Sequence, residues 1–373
     1  MKNILVFFGG VSQEHDISVI TGVLTLNSID KTKFNPIPVY VHKNGLWYSG
    51  DALANVSFYK DFDVKSVDNV TLISGENFLY KVKKGKIKLL YAVSGAINCM
   101  HGRNGEDGAL CGLLQMCKIP LASPNAFCSA MSMDKGLTKL CLKALDIDVV
   151  PSVCLQRKRF FKDRESEIKK LMSALDYPII VKPICGGSSI GISVARDYME
   201  LENALMEAFK YDETALCEKY LLNGVDVNCA VYKAGDCIKS SECEKPLTAN
   251  DILTFGDKYS ASKTGSGREF PAEIPSEVSD KIKATSEEIY ASFGFTGIIR
   301  IDYLVSGNDV FLNEINSVPG SMAFYLFCNK MSKFTDLLTD LLNESFVNYL
   351  AKASTCYEFN SNVLTDGVMK IKK

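Results

Sequence analysis

The chain has 373 residues, with 42 lysines and arginines against 44 aspartates and glutamates, which gives a formal net charge of −2. This length predicts two or three domains with sizeable cores. The near-neutral charge supplies no net attraction to nucleic acid or to anionic lipid, so neither is an expected partner. The 47% hydrophobic content excludes a mainly disordered chain.

The cysteines point to a reducing compartment. Their number is 13, and no two are spaced as a C-x-x-C pair, which argues against a disulfide framework and against a zinc site. No window approaches the roughly 18 apolar residues that a membrane helix needs. The short apolar run at the start reads better as a strand than as a signal peptide. We therefore expect a cytoplasmic protein without a membrane partner.

The first 125 residues have the pattern of a doubly wound α/β domain. The apolar run 3–8 ends in Gly9-Gly10, as expected of a buried parallel strand that leads into a ligand-binding loop. A helix over 17–26, a strand over 36–42 and a helix over 109–117 follow. The polar stretch 50–90 gives no clear assignment.

Residues 126–218 form the predicted central domain. A helix is expected over 129–145, strands over 149–155 and 177–182, and a helix and a strand over 198–209 and 215–220. The C-terminal domain is predicted to cover residues 219–351. The remainder, 352–373, is polar and without clear periodicity, so we expect a surface tail.

A predicted β-hairpin near the C-terminus carries the clearest group of polar residues. Two alternating segments, 297–305 and 310–316, flank a Gly-Asn turn. A three-residue loop from Gly307 to Asp309 would set Asp302 opposite Glu314. It would also set Arg300 opposite Asn316, so that all four converge on one face. Ile299, Ile301, Phe311 and Ile315 would pack the other face, whereas an even-numbered loop would separate the two pairs.

The converging residues have the chemistry of a metal–phosphate site. Two carboxylates and an amide offer the oxygen ligands that Mg²⁺ prefers, together with waters and substrate phosphates. An arginine beside them can hold a phosphoryl group or a developing oxyanion. The alternative is a surface hairpin with cross-strand ion pairs, which contribute little to stability.

Three other segments are candidate ligand loops. After a predicted strand, Lys182 precedes a Gly-Ser run over 183–191 whose backbone N–H groups suit phosphate oxygens, although a flexible turn is the alternative. Glu14 lies in the glycine-rich loop after the first strand and could receive a cationic amine. The third segment, 100–108, combines three glycines with His101, one of three histidines.

Taken together and in this order, these motifs resemble the D-alanine–D-alanine ligase family of the ATP-grasp superfamily. The matching segments lie within residues 9–320 and read GGVSQEHDIS, HGRNGEDG, MSMDK, VKP with GGSSIG, DKY, RIDY and NEINSVPG. The resemblance implies an α/β (α+β) fold. An N-terminal Rossmann-like domain of the pre-ATP-grasp type is followed by a two-domain ATP-grasp fold, which holds ATP between two antiparallel sheets.

The resemblance also implies roles for individual residues. The residues expected to bind ATP are Lys135, Lys182, Gly187, Ser189, Glu218, Asp226 and Lys258. Those expected to hold two Mg²⁺ (or Mn²⁺) are Asp302, Glu314 and Asn316. The expected catalytic group comprises Glu14, Ser188, Tyr259 and Arg300, and the expected substrate-binding residues are His101, Gly320, Tyr325 and Leu326.

The implied activity joins two amino acids through an acyl phosphate, with D-alanyl-D-alanine for peptidoglycan precursors as the expected product. The loop 248–269 is the expected lid, and the family resemblance also implies a homodimer. Two alternatives remain: the same chemistry with D-serine or another acceptor, or a nucleotide-binding protein without ligase activity. The first is prompted by Phe324-Tyr325-Leu326, which are bulkier than the Ser/Thr-rich stretch typical of the family.

Overall fold

The computed structural model describes residues 1–247, 267–327, 330–357 and 359. The strands form three larger sheets, which follow one another along the chain, and a small two-stranded sheet lies beside the third. The helices of the described residues are α1 (His15–Ser28), α2 (Ala109–Met116), α3 (Ala126–Met133), α4 (Lys135–Lys143), α5 (Arg157–Lys162), α6 (Arg164–Ala174), α7 (Tyr198–Ala208), α8 (Ser276–Ser292) and α9 (Met331–Ala353). None of them combines the length and apolar composition needed to cross a bilayer.

The first sheet has seven strands in the order β6-β5-β4-β3-β2-β1-β7. Its strands are β1 (Lys2–Gly9), β2 (Phe34–Val41), β3 (Trp47–Ser49), β4 (Asp68–Leu72), β5 (Phe78–Lys83), β6 (Lys86–Ala92) and β7 (Gly95–Asn98). Strand β1 pairs in parallel with β2 and β7, as a continuous apolar run predicts for a strand covered on both faces. The stretch 50–90, which the sequence left unassigned, forms three short 3₁₀ turns and the antiparallel strands β4–β6.

The second and third sheets are antiparallel. The second, ordered β10-β9-β11-β8, contains β8 (Ser152–Gln156), β9 (Ile179–Pro183), β10 (Ser193–Ala195) and β11 (Thr214–Lys219). The third, ordered β13-β12-β16-β17, contains β12 (Val225–Ala234), β13 (Cys237–Ser240), β16 (Ile298–Ser306) and β17 (Asp309–Asn316), and the short strands are β14 (Lys245–Pro246) and β15 (Arg268–Glu269). The domain boundaries at 125, 218 and 351 stay predictions, although α9 continues to Ala353.

One helix prediction is wrong in a way that matters for the site. The stretch 129–145 forms two helices, α3 and α4, because Asp134 adopts an extended conformation between them. Its carboxylate accepts the backbone N–H of Leu137 at 2.8 Å and so caps the start of α4. Lys135 therefore occupies the first position of a helix, and Lys139 follows one turn later on the same face.

Candidate active site

The β16–β17 hairpin pairs the predicted residues, but its turn is shorter than predicted and a bulge compensates for the difference. Ser306 pairs with Asp309, so the turn contains two residues, and this even number alone would place the polar pairs on opposite faces. A β-bulge at Asn313 inserts one extra residue and restores the pairs Asp302↔Glu314 and Arg300↔Asn316.

The bulge also changes which side chains share a face. Leu312 pairs with Tyr303, and both are buried in the core with Ile301. Phe311, which was expected in that core, pairs with Leu304 instead and is only half-buried. The same insertion lets Asn313 and Glu314, which are consecutive, both reach lysines.

Hydrogen bonds hold three of the four predicted hairpin residues together. The Arg300 guanidinium donates to both Asp302 carboxylate oxygens, at 2.7 and 2.8 Å, the bidentate geometry that arginine favours. The Asn316 amide donates to Asp302 Oδ2 at 3.1 Å. These side chains keep limited access to solvent, with 16% of Arg300 and 9% of Asp302 exposed.

Two lysines from the central sheet and its helices meet this hairpin. Lys135 Nζ lies 3.3 Å from Glu314 Oε2 and also donates to the carbonyl of Gly186. Lys182, on β9, donates to Asn313 Oδ1 at 3.0 Å. Lysines and oxygen ligands that are more than 130 residues apart in the chain thus face one cleft.

A buried ionic triad supports the second lysine. The carboxylate of Glu218, on β11, forms ion pairs with Lys182 and, at 2.6 Å, with Lys139. All three side chains are at most 6% exposed. Burial alone would raise the pKa of Glu218, but the charges of the two lysines outweigh it and the pKa is lowered.

The N-terminal loop reaches the same cleft through Glu14. Ser188 Oγ donates a hydrogen bond to Glu14 Oε1, which joins the loop after β1 to the Gly-Ser loop after β9. A Cβ on Gly187 would lie 2.9 Å from the Glu14 carboxylate oxygens, so a larger residue at this position would force the Glu14 side chain to shift. Ser188 and Ser189 have φ values of 52° and 58°, in the left-handed region that costs non-glycine residues energy.

His101 links the N-terminal domain to the segment after β17. Thr21 Oγ1 lies 3.0 Å from His101 Nε2 and accepts the backbone N–H of Ser321 at 3.1 Å. Burial lowers the pKa of His101 despite the nearby Glu14 carboxylate. A neutral imidazole that accepts the Thr21 hydroxyl proton at Nε2 is consistent with this lowered pKa.

Glu106 is a second link between the same regions, and the sequence analysis did not single it out. Its two oxygens accept backbone N–H groups from Gly102 at 2.8 Å and from Val318 at 3.0 Å. Burial, followed by repulsion from Glu14, raises the pKa of Glu106 to about 8. The raised pKa distinguishes Glu106 from an ordinary surface glutamate.

The other predicted residues occupy varied positions. Asp226 lies on β12, on the face of the third sheet that carries Asp302, two positions from its partner Asn228. Gly320 begins a 3₁₀ segment that ends at Leu326 and contains a left-handed turn over Ser321, Met322 and Ala323. The Leu326 side chain is 1% exposed and packs in the core, and its role in substrate binding stays a prediction. Tyr325 is half-buried beside Arg300.

Some predictions fall outside the part of the chain that is described. Lys258 and Tyr259 belong to residues 248–266, which the structure does not describe, and so does most of the lid predicted over 248–269. Within the described residues, the lining of the cleft includes Glu14, Glu106, Lys135, Gly187, Glu314 and Asn316.

Sequence reasoning missed three of the residues that build this cleft: Lys139, Glu106 and Asn313. The position of Lys139, four residues after Lys135 in a helix, was a usable signal because such residues share a helical face. Glu106 is in a motif that had been noticed, but its two backbone hydrogen bonds depend on tertiary structure. Asn313 faces Lys182 only because of the bulge.

The donor set fits a divalent cation. Asp302 and Glu314 supply carboxylate oxygens, Asn316 supplies an amide, and each carboxylate has a cationic partner, Arg300 or Lys135. Hard oxygen donors of this kind suit Mg²⁺. Within the described residues, no group of three or more His, Cys, Asp or Glu side chains is placed to hold a metal.

Comparisons with known proteins agree with this geometry. Family models described as the N-terminus and the C-terminus of D-ala D-ala ligase match residues 3–124 and 141–343. A D-alanine–D-alanine ligase of Thermosipho melanesiensis is 34% identical over 100% of this chain and 99% of its own length.

Solved structures extend the comparison. The crystal structure of D-alanine–D-alanine ligase from Helicobacter pylori has a TM-score of 0.75 and 28% identity, with 92% of this chain and 98% of that chain covered. The crystal structure of VanG D-Ala:D-Ser ligase from Enterococcus faecalis has a TM-score of 0.76 and 25% identity, with 93% and 99% covered.

The three sheets and the lysine-lined cleft define an ATP-grasp enzyme, as the resemblance implied. Within that class, the chain belongs to the D-alanine–D-alanine ligase family, because the two family models together cover more than half of it. It is an ATP-dependent ligase of this family.

Proposed function

We propose that this enzyme joins two D-alanine molecules through an acyl phosphate and so forms D-alanyl-D-alanine for peptidoglycan precursors. One observation carries the proposal: the hairpin face with Arg300, Asp302 and Glu314 meets the lysines of the central domain across one cleft. The relatives named D-alanine–D-alanine ligase support the choice of substrate.

The hairpin and the lysines would bind Mg²⁺ and ATP. Asp302, Glu314 and Asn316 would hold two Mg²⁺ (or Mn²⁺), which neutralise phosphate charge when bound. Lys135 and Lys182 would then bind the phosphates, and Ser189 and Gly187 would cover them. Glu218, which lies between two lysines, fixes the position of Lys182, and its predicted contact with adenine, like that of Asp226 with ribose, stays a prediction.

The first amino acid would bind beside the N-terminal loop. Glu14 would receive its ammonium group, because this carboxylate lines the cleft and is oriented by Ser188. His101, neutral and held by Thr21, would lie beside it. The substrate carboxylate would then point toward the hairpin face.

The chemistry would proceed in two stages. The first carboxylate attacks the γ-phosphate of ATP and releases ADP, and the amine of the second amino acid then attacks the acyl carbon and releases phosphate. Arg300 would stabilise charge on the transferring phosphoryl group and on the tetrahedral intermediate, with the Gly320 N–H as a second donor. Such positioning and charge stabilisation supply most of the catalysis in phosphoryl transfer.

A different acceptor is the second candidate function. Tyr325 and Phe324 introduce aromatic rings where the family commonly has small polar residues, and one similar structure is a D-Ala:D-Ser ligase. A few kcal/mol of differential binding in the acceptor pocket is enough to change acceptor choice without altering the chemistry.

A panel of D- and L-amino acids tests both candidates, with ADP and dipeptide measured in the same reaction. We expect D-alanine alone to give one D-alanyl-D-alanine for each ADP released. Strong turnover of another pair with no D-alanyl-D-alanine would favour the second candidate. ATP binding without any amino-acid-dependent ADP release would contradict both.

Three further features are also proposals. A homodimer and a cytoplasmic location rest on the family resemblance and, for the location, on the cysteines without a C-x-x-C pair. The lid over 248–269, with Lys258 and Tyr259, rests on the resemblance alone. Sedimentation velocity of the purified protein at micromolar concentration tests the dimer, because a monomer at all concentrations would contradict it.

A further inference from the structure

An arginine next to the active site remains unassigned by the mechanism above. Arg268 begins β15, and its guanidinium carbon lies 4.8 Å from the ring centroid of Tyr325, within the range of a cation–π contact. The same group lies 5.6 Å from the ring of Phe270. Its side chain is 47% exposed, so the guanidinium can reach a solute.

Arg268 is anchored at one end by a buried carboxylate. The guanidinium nitrogen Nη1 of Arg268 lies 3.3 Å from Glu244 Oε1, and Glu244 is only 4% exposed. The other Glu244 oxygen accepts the Asn228 amide at 3.3 Å, and Asn228 is directly opposite Asp302 in the third sheet. Among the described residues, Glu244 is the one carboxylate that pairs with this guanidinium.

Tyr325 places this arginine near the reacting centre. Burial is the main effect on the Tyr325 pKa and raises it, while the charge of Arg300 and a hydrogen bond with it act in the opposite direction. One ring therefore has Arg300 against its hydroxyl group and Arg268 over its face. Two guanidinium groups, each with a carboxylate partner, therefore contact the same ring.

We propose that Arg268 binds the α-carboxylate of the acceptor amino acid, an inference that rests on the function proposed above. The nitrogen and the carboxyl carbon of an α-amino acid are two bonds, about 2.5 Å, apart. An acceptor that delivers its amine to a carbonyl at Arg300 therefore carries its carboxylate only a few ångströms beyond. Arg268 is the arginine on that side, and a guanidinium suits a planar carboxylate.

The test compares a carboxylate-bearing acceptor with one that has none. In the full chain, Arg268→Met should raise the KM for D-alanine in dipeptide formation about tenfold or more, as expected for a lost charge-assisted hydrogen bond. Hydroxylamine can instead capture the acyl phosphate as D-alanyl hydroxamate, and it has no carboxylate. Hydroxamate formation from D-alanine and ATP should stay within about twofold of wild type.

Two further variants complete the experiment. Arg268→Lys keeps the charge and should recover part of the loss in KM. Arg157→Met is the matched control, because Arg157 is 46% exposed, pairs with a glutamate at 3.4 Å and lies over Phe161, but is remote from the cleft. It should leave both reactions unchanged.

The outcomes separate the two proposals. An unchanged D-alanine KM in Arg268→Met, or equal losses in dipeptide and hydroxamate formation, would overturn the role of Arg268 while the ligase function stands. Wild-type enzyme that yields neither dipeptide nor hydroxamate would instead overturn the proposed function. If Arg268→Met fails to fold, Arg268→Lys still decides, since a wild-type KM with an ammonium in place of the guanidinium would contradict binding of the carboxylate by the planar guanidinium.

Discussion

Two ionic clusters face each other across the cleft, and they differ in how accessible their charges are. Glu218, on the central sheet, and the two lysines beside it are at most 6% exposed, and each of these charges forms an ion pair with another protein charge. In the third sheet, Arg300 is 16% and Glu314 21% exposed, and both lie beside the open cleft.

The difference indicates different roles for similar residues. Exchanging partners in the buried triad would leave a charge in a medium of low polarity, which is costly. The hairpin charges keep contact with solvent, so they can trade protein partners for phosphate or metal at smaller cost. The triad is thus suited to hold Lys182 in place, and the hairpin is suited to take part in the reaction.

Changing the hairpin arginine should have the largest effect. Arg300→Ala should lower turnover by about 10³–10⁵-fold, because an arginine that stabilises the transferring phosphoryl group acts mainly in the transition state. The apparent KM for ATP should change far less. Steady-state rates at varied ATP measure both quantities, and equal losses in the two would contradict this role.

Breaking the buried triad should mainly cost stability. Glu218→Gln leaves Lys139 and Lys182 without their shared counter-charge, and the loss of one partner of a buried pair costs about 3–5 kcal/mol. Urea denaturation measures the change in the free energy of unfolding. The control is Glu213→Gln, which breaks a pair whose glutamate is 81% exposed, and there we expect less than about 1 kcal/mol. Similar losses of unfolding free energy in both variants would show that the triad contributes no more to stability than a surface ion pair.

Removing the bulge contact should have a smaller effect. Asn313→Ala deprives Lys182 of a hydrogen bond of 3.0 Å, so ATP affinity should fall about 10- to 100-fold, because a hydrogen bond to a charged group contributes about 1.5–3 kcal/mol. Isothermal titration calorimetry with ATP and Mg²⁺ measures it. Asn308→Ala, at the exposed hairpin turn, should leave the ATP affinity unchanged. An equal loss of affinity in this control would show that the hydrogen bond of Asn313 to Lys182 has no specific role in ATP binding.

The last prediction concerns the pH dependence of stability. The pKa of Glu106 in the folded state is about 8, above its ordinary value of 4.5. Between about pH 4.5 and 8 the unfolded chain has lost this proton while the folded protein keeps it, so the contribution of Glu106 to stability falls across that interval and is lost above about pH 8. Glu106→Gln cannot titrate, so its unfolding free energy should fall less than that of wild type between about pH 5 and 8.

Urea unfolding curves at several pH values measure this difference. Glu165→Gln serves as the control, because that carboxylate is 71% exposed, and its curve should run parallel to wild type. A Glu106→Gln curve that is also parallel to wild type would show that this carboxyl group is ionised in the folded protein.

Much of the architecture follows from local sequence patterns. The apolar run of β1 and the glycines after it predicted a parallel strand with a loop, and the structure has both. Alternation in β16 and β17 predicted that Asp302 would face Glu314, and they are paired. Such patterns are readable because a strand alternates faces with a period of two residues.

Other features depend on interactions that local patterns do not encode. The bulge at Asn313 is a one-residue shift in how β16 and β17 pair, so the sequence of either strand alone does not specify it. The break at Asp134 was missed because the apolar periodicity continues through it, although the aspartate is a good N-cap. The backbone contacts of Glu106 join residues 212 positions apart and needed the tertiary structure.

Isotope transfer from the substrate shows directly whether this cleft activates a carboxylate by phosphorylation. D-Alanine with both carboxyl oxygens labelled with ¹⁸O is turned over with unlabelled ATP, and the released phosphate is analysed by mass spectrometry. We expect one ¹⁸O atom in each released phosphate, because the attacking carboxylate oxygen leaves with the phosphoryl group. Dipeptide formation with unlabelled phosphate would contradict it.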